Sequence, residues 1–391
     1  MFGAVLVTGS RQVGKTTLLR KIKPSLPYVT LDDPLLLASA REAPGTLFKI
    51  HPPPVVVDEI QYAPPLFPYM KMMLDDGGQK GQFFLSGSQQ FQMMKNVGES
   101  LAGRVGILNL HGLSLRERRG EDFDRPFVPD DAYLARRRRS AEPLAVREAW
   151  RLIHRGSMPA LAADPDADWQ LFHSSYVKTY LERDVRDLAQ VGDETKFLAF
   201  MTAVAARTGQ LLNQAALARD VGINPRTVER WLSILRASNL VHLLPPYHGN
   251  AAKRAVKTRK VYFMDTGLAA WLTRWTSPET LQNGAMAGPF FETFVVSEII
   301  KSYANAGIQE PPLYFYRDKE QKEIDLLIEA DGALHPVEIR KHADPDRSGT
   351  KAFGQLEKLP GVRRGPGALV CLHDRAAPLG ERDSAVPLPW I

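Results

Sequence analysis

Gly9-Ser10-Arg11-Gln12-Val13-Gly14-Lys15-Thr16 follows directly on the apolar run Ala4 to Val7, and it restricts the chain more than any other stretch. A glycine, four free residues and Gly-Lys-Thr between a strand and a helix form a phosphate-binding loop. Gly9 and Gly14 let the backbone curl until successive N–H groups converge on one anion. A helix starting at Lys15 adds the positive end of its dipole. Lys15 is then expected to reach the β- and γ-phosphates and Thr16 to offer its hydroxyl to Mg²⁺. Ser10, Arg11, Gln12, Val13 and Thr17 belong to the same cradle. The competing interpretation, a Gly-rich surface turn, does not account for the preceding strand.

A second motif lies forty-odd residues on. Val55-Val56-Val57-Asp58-Glu59 reads as a strand buried on both faces, as in a parallel sheet, that ends in two carboxylates. Ligands of such sheets sit at the carboxyl ends of the strands. Asp58 is expected to hold Mg²⁺, directly or through water, and Glu59 to polarise the water that attacks the γ-phosphate. Gln82 to Leu85 reads as another strand, running into Ser86-Gly87-Ser88-Gln89. Ser86 there either contacts the γ-phosphate or the attacking water, or belongs to a turn that caps a following helix. Arg104, just before the strand Ile107 to Leu110, can stabilise charge on the transferred group, in its own site or in a neighbour's. No Asn-Lys-x-Asp base-reading motif follows the loop, which favours ATP over GTP. The first strand begins within a few residues of Met1, so little of a base-binding pocket is expected from the segment before it.

With 391 residues the chain is long enough for two or three domains. Its 50 Lys and Arg against 44 Asp and Glu give a net charge of +6, which permits a polyanionic partner without demanding one. The single Cys371 excludes an internal disulfide framework and a cysteine-rich zinc site, and fits a reducing cytosol. No apolar run approaches membrane-spanning length, and no signal peptide is evident. A cytoplasmic location is expected.

Past the first module, Pro27 to Leu31 and Leu66 to Leu74 read as a strand and a helix, and Asp33 as the N-cap of a helix begun by Pro34. Residues 119–143 carry Pro126, Pro129 and Arg136-Arg137-Arg138-Arg139 and read as a basic, solvated linker. Residues 144–283 are mainly helical. Leu212 to Ala218, the turn at Gly222 and a helix with Val228, Trp231, Leu232 and Leu235 inward form a helix-turn-helix. Strands Leu240 to Leu244 and Val261 to Met264 complete a winged helix. The outward Arg226 and Arg230, with the basic stretch Lys253, Arg254, Lys257, Arg259 and Lys260, are candidates for phosphate contact with DNA. The alternative is a winged helix that only docks on the ATPase or a partner.

Residues 284–391 read as a small α/β unit: an amphipathic helix Gly288 to Lys301, then strands Leu313 to Tyr316, Glu323 to Glu329 and Leu334 to Arg340, a helix Phe353 to Leu359 and a strand Ala368 to Leu372. Asp325 and Glu338 fall on neighbouring apolar strands, where carboxylates are costly unless paired or metal-bound. Together they are a candidate Mg²⁺ site for phosphodiester cleavage. Such a nuclease needs a lysine two residues after the glutamate, and Arg340 stands there instead. An arginine does not readily give up a proton near neutral pH.

Taken in order, Gly9 to Leu19, Leu31-Asp32-Asp33-Pro34, Val56 to Gln61, Leu85 to Gln89, Leu101 to Val105, Thr179 to Val185 and Tyr262 to Leu268 resemble the prokaryotic AAA-type predicted ATPases over nearly the whole chain. The resemblance implies a P-loop sheet in which the Asp58 strand lies beside the strand that feeds the loop. It further implies a winged helix and a restriction-endonuclease-like C-terminal fold; ATP and Mg²⁺ are the cofactors that the loop and Asp58 motifs call for. The expected architecture is therefore α/β: a P-loop parallel-sheet ATPase domain over 1–118, a linker over 119–143, a helical and winged-helix domain over 144–283 and an endonuclease-like domain over 284–391. The leading expectation is an ATPase that couples nucleotide state to DNA, with a homo-oligomer compatible with it. An ATP-gated nuclease and a non-enzymatic nucleotide-binding adaptor remain as alternatives.

Overall fold

The computed structural model describes residues 2–77, 79–87, 101–185, 194–248 and 258–391. The chain forms two compact units. One comprises Met1–His111, Tyr176–Gly192 and Arg230–Leu240, the other Gly112–Ser175, Asp193–Glu229 and Val241–Ile391.

The first unit is built on a five-stranded parallel sheet in the order β2-β3-β4-β1-β5. Its strands are β1 Ala4–Thr8, β2 Tyr28–Thr30, β3 Val55–Asp58, β4 Phe83–Ser86 and β5 Val105–Asn109. Between them run helices α1 Lys15–Ile22, α2 Pro34–Glu42, α3 Pro44–Ile50 and α4 Leu66–Asp75. Both faces of the sheet are covered, which is why the strands read as unbroken apolar runs. Leu6, Val55, Val57, Phe83 and Leu85 pack on one face with Ala40, Leu47, Phe48, Phe67 and Met70 of α2 to α4. Val7 and Val56 meet Leu19 of α1 on the other. Asp33 caps α2 as its sequence demands, accepting from Leu35 N at 2.8 Å and Leu36 N at 3.3 Å. One expectation needs correction: β3 does not lie beside β1, because β4 is inserted between them and pairs with both. The insertion brings the carboxyl end of β4 between the Asp58 strand and the loop.

In the second unit, helix α5 Asp131–Ser140 replaces the expected solvated linker. Asp130 caps it, accepting from Tyr133 N at 2.7 Å. Arg137 is wholly buried, donating to Glu121 at 2.6 Å, to the Pro389 carbonyl at 2.5 Å and to the Trp390 carbonyl at 3.2 Å. Four consecutive arginines masked one whose partners lie about 250 residues away in sequence. Further along the chain come α6 Gln214–Val221, within this unit, and α7 Pro225–Ala237, whose residues from Arg230 on are counted with the first unit; the turn before α7 has Gly222 left-handed at φ 69. Asn224 accepts from Thr227 N at 2.8 Å. Strands β6 Gln210–Leu211, β7 Val241–Leu244 and β8 Lys260–Phe263 form an antiparallel sheet ordered β6-β8-β7.

The remainder is a six-stranded mixed sheet with order β13-β14-β12-β11-β10-β9. Helix α8 Ala287–Asn305 precedes β9 Leu313–Arg317, β10 Glu323–Ala330 and β11 Ala333–Ile339, and a 3₁₀ segment Arg347–Lys358 leads to β12 Gly367–Cys371. Strands β13 Ala377–Pro378 and β14 Asp383–Pro387 finish the sheet. β9 to β11 run antiparallel, whereas β12 joins β11 in parallel. The helix expected to be amphipathic is instead enclosed nearly all round, from Phe290 to Tyr303. It packs against β8, β11 and the helices Val146–Arg155, Thr266–Leu272 and Pro278–Asn283. That central helix makes the two expected modules, 144–283 and 284–391, share one core.

Candidate functional site: a phosphate loop and the carboxylates beside it

The five described strands of the first unit are parallel, so the loop after β1, Asp58 at the end of β3 and Ser86 at the end of β4 emerge at one edge of the sheet. The loop needs its glycines for different reasons. Gly9 has φ +147, and a Cβ there would lie 2.2 Å from the Leu110 carbonyl oxygen, a close approach no side chain tolerates. Gly14 has open space around it but a φ of +93, which an L side chain rarely adopts. Gln12 between them is also left-handed, at φ 60. Lys15, the first residue of α1, folds back over the loop and donates to the carbonyls of Gly9 at 3.1 Å and Ser10 at 2.8 Å. Ser10, Val13 and Lys15 are buried, Gly14, Arg11 and Thr16 partly so, and Thr17 faces outward.

Asp58 gathers the donors around it. Its Oδ2 accepts from the Thr16 hydroxyl at 2.8 Å and from the Tyr28 hydroxyl at 2.6 Å. Its Oδ1 accepts from the Ser86 hydroxyl. Burial, with the Asp58 carboxylate next to it, pushes the Tyr28 phenol up to about 12, so it remains a donor. Ser86 thus points at Asp58; Ser88 and Gln89 of its turn lie outside the described residues. Glu59 stands next in a left-handed conformation, φ 55 and ψ 43. The Gln61 amide donates to it. Burial raises the Glu59 carboxyl above the ordinary range, against the lowering pull of the Gln61 amide and the Lys15 charge.

Arg104 is not brought to this edge. It precedes β5, at the amino ends of the strands, where its carbonyl accepts from Ala4 N at 3.1 Å and its guanidinium pairs with Asp75 at 2.5 Å. A five-residue strand, about 16 Å at ~3.3 Å per residue, separates it from the loop edge. Any catalytic role for Arg104 therefore requires a second copy of the chain.

Arg226 and Arg230 are exposed on α7, and Arg259 is half-buried. Lys253, Arg254 and Lys257 lie outside the described residues. Lys260 does not belong to a basic wing at all. It is buried, and its ammonium lies 2.6 Å from Glu323, 3.0 Å from Glu292 and 3.8 Å from Asp325. Burial works against its charge, but Glu292, Asp325 and Glu323 outweigh that and hold it well above the usual lysine range. Glu292 also accepts from the Tyr262 hydroxyl at 2.6 Å, and Asp325 accepts from Ile339 N at 2.9 Å. Glu338 is paired with Arg340 through one oxygen. The other oxygen is buried without a hydrogen-bond partner among the described residues. Burial, reinforced by Asp325, lifts Glu338 to about 8 and Glu292 to about 7. A metal on Asp325 does not fit this arrangement, because the Lys260 ammonium already stands against Glu292, Glu323 and Asp325.

Sequence reading missed Tyr28, Gln61 and Glu292 as site residues and misplaced Lys260. The available signals were a tyrosine opening a strand next to β3, and a lysine immediately before the apolar run Val261 to Met264.

Residues 2–118 match a family model described as an AAA domain, residues 146–279 a domain of unknown function (DUF8612), and residues 287–391 another domain of unknown function (DUF4143). Uncharacterized proteins of Mycobacterium bovis and Mycobacterium tuberculosis are each 29% identical over 397 aligned positions, covering 99% of this chain and 80% of theirs. Among solved structures, a Walker-type ATPase of Pyrococcus abyssi aligns over 69% of this chain and 91% of its own, with 14% identity and a TM-score of 0.39. A variant of Thermotoga maritima RuvB aligns over 61% and 81%, with 16% identity and a TM-score of 0.29. At those scores neither structure bears on the argument.

Proposed function

We propose, on the premise that residues 2–118 form an AAA-type P-loop ATPase domain, that this chain hydrolyses ATP at the loop-bearing edge of its parallel sheet and couples the nucleotide state to DNA. The observation that carries the reading is the convergence on Asp58 of the Thr16, Tyr28 and Ser86 hydroxyls, with Glu59 adjacent. Three donors on one carboxylate fix it beside the first turn of α1. The Thr16 hydroxyl and Asp58 carboxylate are hard oxygen donors, 2.8 Å apart, of the kind Mg²⁺ selects. Bound there with ATP, Mg²⁺ would neutralise charge on the phosphates.

The chain's own groups do the rest. The N–H groups from Ser10 to Thr16 and the dipole of α1 bind the phosphates. Lys15 exchanges the Gly9 and Ser10 carbonyls for phosphate oxygens. Glu59 accepts the proton of the attacking water, and its raised carboxyl is a better base than an ordinary one. Gln61 and the left-handed backbone hold that carboxylate in place. Ser86 acts through Asp58 rather than on the phosphate.

DNA is favoured as the partner because α7 offers two outward arginines one turn apart, Arg226 and Arg230, on a chain of net charge +6. The test is steady-state ATP turnover with and without single- and double-stranded DNA. Stimulation that is lost in Arg226→Ala/Arg230→Ala, with basal turnover kept, supports the coupling. Turnover indifferent to either DNA dismisses it and leaves the ATPase reading intact.

A further inference from the structure

We propose that the Lys260 ammonium is the resident cation of the carboxylate cluster in the second unit, standing where a divalent metal would otherwise bind, so that the mixed sheet is charge-locked and does not cleave phosphodiesters. The inference is independent of the nucleotide site.

Four carboxylates meet in this region, from three elements: Glu292 on α8, Glu323 and Asp325 on β10, and Glu338 on β11. Asp325 and Glu338 alone are the pair a metal would bridge. The lysine that stands 3.8 Å from Asp325 comes from neither strand, and Glu338 is met by Arg340 instead. Lys260 opens β8, which belongs to the antiparallel sheet after the helix-turn-helix. Lys260 and Tyr262, two residues apart, project from one face of β8 and both donate to the same oxygen of Glu292, at 3.0 and 2.6 Å. The Phe315 ring lies under the ammonium, 5.8 Å from its centroid. Arg317 pairs with the other oxygen of Glu323 at 3.4 Å, and Arg340 closes over Glu338. Glu292, Glu323 and Asp325 are thus each turned toward a fixed cation. A dication would need the same oxygens at about 2.1 to 2.5 Å, in space the ammonium fills.

The same contacts exclude the opposite role, a lysine relocated to act as general base. A base must release its proton, and an ammonium gripped by three carboxylates is held charged. Arg340, at the position where the sequence pattern calls for lysine, cannot release one either.

The test uses the full chain, nucleotide-free, with Mn²⁺ as probe and free Mn²⁺ read by electron paramagnetic resonance. In the wild type, Asp325→Asn is expected to leave Mn²⁺ binding unchanged. Lys260→Met is expected to gain one site, at least about tenfold tighter than any weak surface site, and to lose it again in Lys260→Met/Asp325→Asn. Thermal unfolding of Lys260→Met should rise with Mn²⁺ while that of the wild type does not. A wild-type site abolished by Asp325→Asn would overturn the proposal. So would a folded Lys260→Met chain that gains none. Should Lys260→Met fail to fold with or without Mn²⁺, the Asp325→Asn comparison decides alone: unchanged stoichiometry upholds the lock, a lost site refutes it.

Discussion

At the scale of single residues the proposed nucleotide site depends on who holds whom. Asp58 is oriented by three hydroxyls, of which the Tyr28 hydroxyl is the easiest to remove without changing volume. One hydrogen bond to a charged group is worth about 1.5 to 3 kcal/mol, and part of that is recovered from the remaining two donors. Tyr28→Phe should therefore lower kcat by about fivefold to tenfold with the fold unchanged, as steady-state kinetics beside circular dichroism would show. A variant as active as the wild type would mean that Thr16 and Ser86 suffice. Glu338 gives a pH prediction in the second unit. Its carboxyl is raised to about 8 from an ordinary 4.5, so the folded state binds its proton more tightly than the unfolded chain. That stability is present below about 4.5 and is lost as pH rises through about 8. Unfolding midpoints of Glu338→Gln should fall less than those of the wild type between pH 5 and 8, roughly the window named. Parallel curves would contradict the burial argument.

At the scale of elements the phosphate loop separates two uses of glycine. Gly9→Ala puts a Cβ against the Leu110 carbonyl at 2.2 Å, and backbone must move. Gly14→Ala meets nothing and carries only the cost of its positive φ, about 1 to 2 kcal/mol. Denaturant unfolding should therefore rank Gly9→Ala as the more destabilised by a clear margin. Equal losses would show that the β1–β5 edge yields more easily than its packing implies. Local signals made most of this unit legible: the loop spacing, the Asp33-Pro34 cap and the apolar runs each name their element without reference to anything distant. Sheet order was not legible, because β4 carries no motif that says between which strands it inserts. The Arg136 to Arg139 run and Lys260 failed for a related reason. Charge predicts exposure only on average, and Arg137 and Lys260 are buried by partners far away in sequence.

At the scale of the whole molecule, a P-loop sheet is joined to a second unit in which strand β8 of the antiparallel sheet and strand β11 of the mixed sheet pack on the central helix α8. The Asp325 and Glu338 pair was visible in the sequence as two carboxylates in apolar strands. Its meaning changed once a third segment delivered a lysine to Asp325, and only the fold could supply that. The proposed activity therefore rests on the first unit, and there the decisive measurement is nucleotide binding and turnover compared in one preparation. Glu59→Gln should bind ATP about as tightly as the wild type and lose turnover by roughly a hundredfold or more, while Lys15→Ala should lose binding itself. A Glu59→Gln chain that hydrolyses ATP at the wild-type rate would contradict the account.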